Sequence, residues 1–96
     1  MKQKPTPSNR RLQDLVSVGP ATLADLRKLE VHTVTALALC EPEELYRRLC
    51  RISGKNLDIC CLDTFSAAVA QARDPGLPPH KKFWWYWSRL RKREER

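Results

Sequence analysis

Glycine is scarce in this sequence, with three among 96 residues, and there are two histidines and one methionine. So few glycines leave no Gly-rich loop to cradle a nucleotide. Neither His32 nor His80 has a nucleophile beside it to activate, and Ser17 has no histidine placed to take its proton. No apolar run approaches the roughly 18 residues that cross a bilayer. The opening MKQKPTPSNRR has no apolar stretch behind its charges, so no secretory signal is expected. Leu-Ala-Leu-Cys at 37–40 lies too deep in the chain, with Leu39 before the cysteine, to be a lipoprotein cleavage site. The expectation is a cytoplasmic protein without a membrane partner.

The four cysteines, at 40, 50, 60 and 61, lack the two pairs spaced two to four residues apart that mark zinc sites. A cytosolic setting disfavours disulfides. Cys50, Cys60 and Cys61 fall at apolar helical positions, where cysteine packs as a small hydrophobe. No metal and no other cofactor is expected. The paired acids Glu43 and Glu44 suit a helix start, and Asp58 and Asp63 read as solvated helix faces. Nothing assembles into a catalytic constellation, so the chain is read as a non-enzyme.

What the chain does carry is charge at its ends. Its net charge is +7, with residues 1–11 contributing +4, residues 76–96 contributing +5 and the stretch between them −2. Two basic arms on a slightly acidic body suit a polyanion such as DNA. They equally keep a small protein soluble.

Apolar spacing predicts helices throughout and one domain of modest core. Residues 1–8 read as a disordered basic arm, residues 9–75 as the domain, and residues 76–96 as an aromatic and basic segment. Ser8 or Asn9 is placed to cap a short first helix with Leu12, Leu15 and Val16 on one face. After a Ser-Val-Gly-Pro turn, Pro20 opens a second helix with Leu23, Leu26 and Leu29 as its buried stripe. Thr33 caps a third, with Val34, Leu37 and Ala38 inside. Pro42 opens a fourth whose apolar face is Leu45, Tyr46, Leu49, Cys50 and Ile52, with Gly54 ending it in the left-handed region. Asn56 is expected to cap a long fifth, which Asp74-Pro75-Gly76 stops. A final aromatic helix has Phe83, Trp87 and Leu90 on one face with Trp84 alongside.

The stretch LQDLVSVGPATLADLRKLEVHTVTALA resembles a helix-hairpin-helix motif, with Val16, Val18, Gly19, Pro20, Leu23, Leu26, Val31, Thr33 and Val34 among the matching residues. Together with PEELYRRLC and WWYW, residues 9–88 resemble the pathogenicity-locus family of small bacterial helix-hairpin-helix proteins. Some members of that family carry the label mitomycin resistance protein, and the C-terminal domain of the competence regulator TfoX is similar. The resemblance implies an all-α fold: a compact five-helix double helix-hairpin-helix (SAM-like) domain with an additional Trp-rich C-terminal helix. The second hairpin would lie around RISGKN. The implied function is sequence-independent DNA binding, related to DNA repair or competence.

On this reading the amides of Ala21, Thr22 and Leu23, with the turn residues Ser17, Val18 and Gly19, would meet a phosphate at the positive end of the second helix. Gly54, Lys55 and Asn56 would hold a neighbouring phosphate, and Arg10, Arg11, Lys81 and Lys82 would add charge. Ser17 stands where many DNA-binding hairpins have their first glycine, and Ala21 where they often have Lys or Arg. For the Trp-rich end three roles stand open. Phe83, Trp84 and Trp87 dock on the core, the rings stack on single strands, or the helix lies on an anionic membrane. The competing function is a protein-interaction module that engages a DNA-processing partner, or a homodimer formed through the Trp-rich end.

Overall fold

The structure, a computed structural model, describes residues 10–94. It contains five α-helices: α1 (Pro20–Lys28), α2 (Val34–Ala38), α3 (Pro42–Ser53), α4 (Cys60–Arg73) and α5 (Trp84–Glu94). Two 3-10 turns accompany them, Leu12–Asp14 before α1 and Pro79–Lys82 before α5. No strand occurs among the described residues. The expected arm at 1–8 and the caps Ser8 and Asn9 lie outside the described residues.

Helix α4 is the axis of the molecule. Its middle is Ala67, Ala68, Val69 and Ala72, all buried, and these short side chains let α2, α3 and α5 all pack against it. Phe65 fills the space that alanines leave, at 1% exposure. Around it lie Leu26, Leu37, Leu45 and Leu49, each essentially without solvent contact.

The local signals explain most boundaries. Pro20 and Pro42 each open a helix, where a missing N–H costs nothing. The Thr33 hydroxyl accepts from the Ala36 amide at 3.0 Å and caps α2. Gly54 closes α3 with φ 73°.

Four expectations are corrected. The first helix is reduced to the 3-10 turn Leu12–Asp14, because the chain leaves helical geometry at Leu15 and Ser17 takes φ 75°. Leu12 and Leu15 are buried all the same. Asn56 caps nothing: α4 starts four residues later, where the Asp58 carboxylate accepts from the Cys60 amide at 3.0 Å. The six residues between α3 and α4 are held instead by the Tyr46 hydroxyl, which donates to the Leu57 carbonyl at 2.6 Å. Ile52 is 56% exposed, since it lies on the last turn of α3, beyond the reach of the core. Asp63 is not on a solvated face. It is 1% exposed and accepts two hydrogen bonds of 3.0 Å from the Arg91 guanidinium, which fasten α5 to α4.

None of the described helices is long and apolar enough to cross a membrane. Among the described residues no group of three or more His, Cys, Asp or Glu is arranged to hold a metal ion.

Candidate nucleic-acid interface

The bend before α1 is shaped by a buried glutamine of α4. Gln71 is 3% exposed, and its amide pairs with the backbone of Val16 as a neighbouring strand would. Val16 donates to Gln71 Oε1 at 3.0 Å, and Gln71 Nε2 donates to the Val16 carbonyl at 2.7 Å. The following Ser17 donates its hydroxyl to the Lys82 carbonyl at 3.0 Å. That bond helps hold Ser17 in a left-handed conformation that costs a non-glycine residue about 1–2 kcal/mol. The inner side of the bend is thus fixed to α4 and to the turn before α5.

Its outer side is open. Gly19, Pro20 and Ala21 are exposed, and a Cβ added at Gly19 would meet nothing within 4 Å. Among the described residues the amides of Gly19, Ala21 and Thr22 donate to no acceptor. They gather at the positive end of α1. The expected donor set is narrower than the sequence implied. Leu23 donates to the Gly19 carbonyl at 2.9 Å, as the first intrahelical bond requires, and Val18 donates to the Leu15 carbonyl at 3.2 Å. Ser17 Oγ is likewise engaged inside the molecule.

The second expected turn does not repeat the first. Gly54 and Lys55 both donate to the Cys50 carbonyl, at 2.9 and 3.2 Å, closing the C-terminus of α3. Only the amide of Asn56 is left over among the three. The start of α4 already faces an anion of its own, the Asp58 carboxylate. Its hydrogen bonds from Cys60 hold the Asp58 pKa below the usual carboxylate value. Gly54, Lys55 and Asn56 are exposed, but they form no cluster of free donors.

The supporting cations are partly committed. Arg10 donates to the carbonyls of Gln71 and Ala72 at the end of α4, at 3.0 and 3.5 Å. Arg11 lies 3.6 Å from Asp14 in an exposed pair. Both nevertheless line a cleft of about 310 Å³ with Arg27, His32, Thr33 and Thr35. This cleft meets α1 at Leu23, one turn from Gly19, and Arg27 and His32 make no hydrogen bond or ion pair in it. The sequence reading did not connect Arg27 and His32 with the bend. For Arg27 the available signal was its helical spacing, two turns on from Gly19, whereas His32 lies beyond the end of α1 and had none.

The aromatic segment departs from the docking expectation. Phe83 and Trp84 do not bury: they are 39% and 43% exposed, because the contact of α5 with α4 is made by Ser88 and Arg91 further along the helix. Trp87 is half-buried, with its indole N–H donating to the Lys81 carbonyl at 2.7 Å. Lys81 and Lys82 are half-buried beside it.

Cys60 and Cys61 are adjacent at the start of α4. Hydrogen bonding with Asp58 and burial push the Cys60 thiol up, and burial pushes Cys61 up, so neither forms a ready thiolate. Burial and a hydrogen bond with Cys50 raise the Tyr46 phenol too.

The pathogenicity-locus family matches residues 6–93, nearly the whole chain. The chain belongs to that family. It is similar to a mitomycin resistance protein, McrB, of Streptomyces lavendulae, with 37% identity over 82 residues. The match covers 85% of this chain and 74% of that relative. No solved structure matches.

Proposed function

We propose that this protein is a non-catalytic, sequence-independent DNA-binding protein that meets the phosphate backbone at the start of α1. The observation carrying this reading is the set of amides at the exposed Gly19 and Ala21 and the half-buried Thr22, all without an acceptor among the described residues, on a bend braced from behind by Gln71. Phosphates suit such a helix start, because the donors are already oriented and the dipole favours negative charge. The adjoining cleft, with Arg10, Arg11 and Arg27, supplies the cations that Ala21 does not, and His32 lines it beside them. Contacts of this kind position a protein on the backbone without reading bases. The second turn is left out of this reading, because the amides of Gly54 and Lys55 are consumed within the fold.

A second reading, an interaction module for a protein partner, is favoured by Leu39, Ile52 and Ile59, which are 83%, 56% and 40% exposed. Fluorescence anisotropy with labelled DNA at two salt concentrations separates the two. Under the first reading affinity falls steeply with salt, and Gly19→Glu weakens binding while circular dichroism shows the fold intact. Absence of binding at low salt hands the function to the protein-partner reading, and an unaffected Gly19→Glu variant removes the amides of α1 from the binding site.

A further inference from the structure

Phe83, Trp84 and Trp85 are consecutive, and each is more than a third exposed. Aromatic rings bring the largest burial gain a small core can make, so three left outside are unusual. They are also ordered against one another. Phe83 and Trp85 lie parallel, with centroids 5.8 Å apart and 9° between their planes. The Arg89 guanidinium sits 5.0 Å from the centre of the Trp85 ring, adding a cation to the patch. Trp84, between Phe83 and Trp85 in sequence, is 43% exposed, and its indole N–H has no partner among the described residues. Tyr86 turns away and packs edge-on against His80 and Trp87, holding the base of α5 in place.

The setting of these rings is cationic. Residues 77–93 contain no acid, and they include Lys81, Lys82, Arg89, Lys92 and Arg93. The patch also adjoins the bend before α1. Ser17, two residues from Gly19, is bonded to the carbonyl of Lys82, and Phe83 is the next residue.

We propose that Phe83, Trp84 and Trp85 are a stacking platform for unpaired bases, so that the protein binds single-stranded nucleic acid in preference to duplex. A base inside a duplex has both faces covered, whereas an unpaired base offers a free π face to any planar ring. A guanidinium over the centre of the patch suits a polyanion carrying such faces and disfavours a purely hydrocarbon partner. The inference rests on the nucleic-acid reading above, but it does not depend on the amides of α1.

The test compares a labelled oligothymidylate of about 15 nucleotides, the length scale of one compact site, with a duplex of equal length. Variants are Trp84→Ala, Trp84→Leu, Trp84→Phe and Gly19→Glu in the full chain. The expected result is tighter binding of the single strand, saturable quenching of tryptophan fluorescence, and at least about a fivefold loss of single-strand affinity in both the Ala and Leu variants. Trp84→Phe retains most of the affinity, because a ring is kept. Single-strand affinity unchanged in Trp84→Ala, or fully kept in Trp84→Leu, overturns the platform. So does a duplex bound at least as tightly as the single strand. If Trp84→Ala instead abolishes binding to vesicles of anionic lipid, or converts a dimer to a monomer in sedimentation, while single-strand affinity stays, the patch belongs to a membrane or to a second copy. Loss with Trp84→Ala but not Gly19→Glu keeps the platform and removes the amide site. The converse does the reverse.

Discussion

Among the described residues two hold left-handed backbone without being glycine, and they do so for different reasons. Ser17, at φ 75°, is held by its bond to Lys82. Glu30, at φ 63°, follows the end of α1, where its amide donates to the Arg27 carbonyl and the next amide returns to Leu26. That is the position where helices favour glycine. The Glu30 side chain is exposed and makes no hydrogen bond or ion pair, so nothing offsets its conformational cost. Glu30→Gly is expected to stabilise the protein by about 0.5–1 kcal/mol, a rise in Tm of a few degrees. Thermal unfolding checks it, and an unchanged or lower Tm refutes it. Asp58 is a residue-scale case with a pH signature. Its folded pKa is lowered, so its contribution is present above the unfolded value and is lost as pH falls through the folded one. Asp58→Ala should therefore be less stable than the parent at neutral pH. The gap should close below about pH 4 in denaturant titrations.

At the scale of elements, polar groups of α4 decide how the rest of the chain attaches. The alanines of α4 allow close approach but specify little by themselves. Asp63 and Arg91 give α5 its place, and with Asp63 at 1% exposure and the Arg91 side chain at 18% the pair is largely withdrawn from water. Removing one partner leaves the other uncompensated, so Asp63→Ala should cost about 2–4 kcal/mol, somewhat below a fully buried pair because Arg91 keeps some solvent. Urea denaturation measures it, and a cost under about 1 kcal/mol would show the pair to be dispensable. Gln71 does for the bend what Asp63 does for α5. Gln71→Leu keeps the volume but leaves both the amide and the carbonyl of Val16 unpaired, at about 1–3 kcal/mol for each buried group. Faster amide exchange at Val16 in that variant, with α2 and α3 unchanged, is the local signature expected by hydrogen exchange.

For the molecule as a whole, the sequence has basic ends and a slightly acidic middle, and the bend is tied through Ser17 to Lys82, the residue before the exposed rings. If Lys81 and Lys82 each neutralise a phosphate, replacing both with glutamine should flatten the dependence of log affinity on log salt by roughly 1 to 1.5 for a single strand. An unaltered slope places those charges away from the bound strand.

Much of this architecture was legible before any coordinates. Local chemistry marks the helix ends directly: proline where an amide would be idle, threonine where a hydroxyl can cap, glycine where the backbone must reverse. Leucine spacing then sets which face turns inward, as it does in α1 and α3. Those features belong to neighbouring residues, so the sequence by itself determined the all-α class, the starts of α1, α2 and α3, and the charged ends.

What only the tertiary structure decided was which groups are left over. The bend before Gly19 is braced by Gln71, 55 residues on from Val16, whereas Gly54 and Lys55 leave the site for a local reason, both amides returning to the Cys50 carbonyl at the end of α3. An aspartate reads as solvent-facing until an arginine from 28 residues away covers it, as Arg91 does Asp63. The rings of Phe83 and Trp84 read as core until the α5 contact forms further along, at Ser88 and Arg91. Burial, and the pairing of groups that lie far apart in the chain, depend on how the elements pack, and no local pattern contains them.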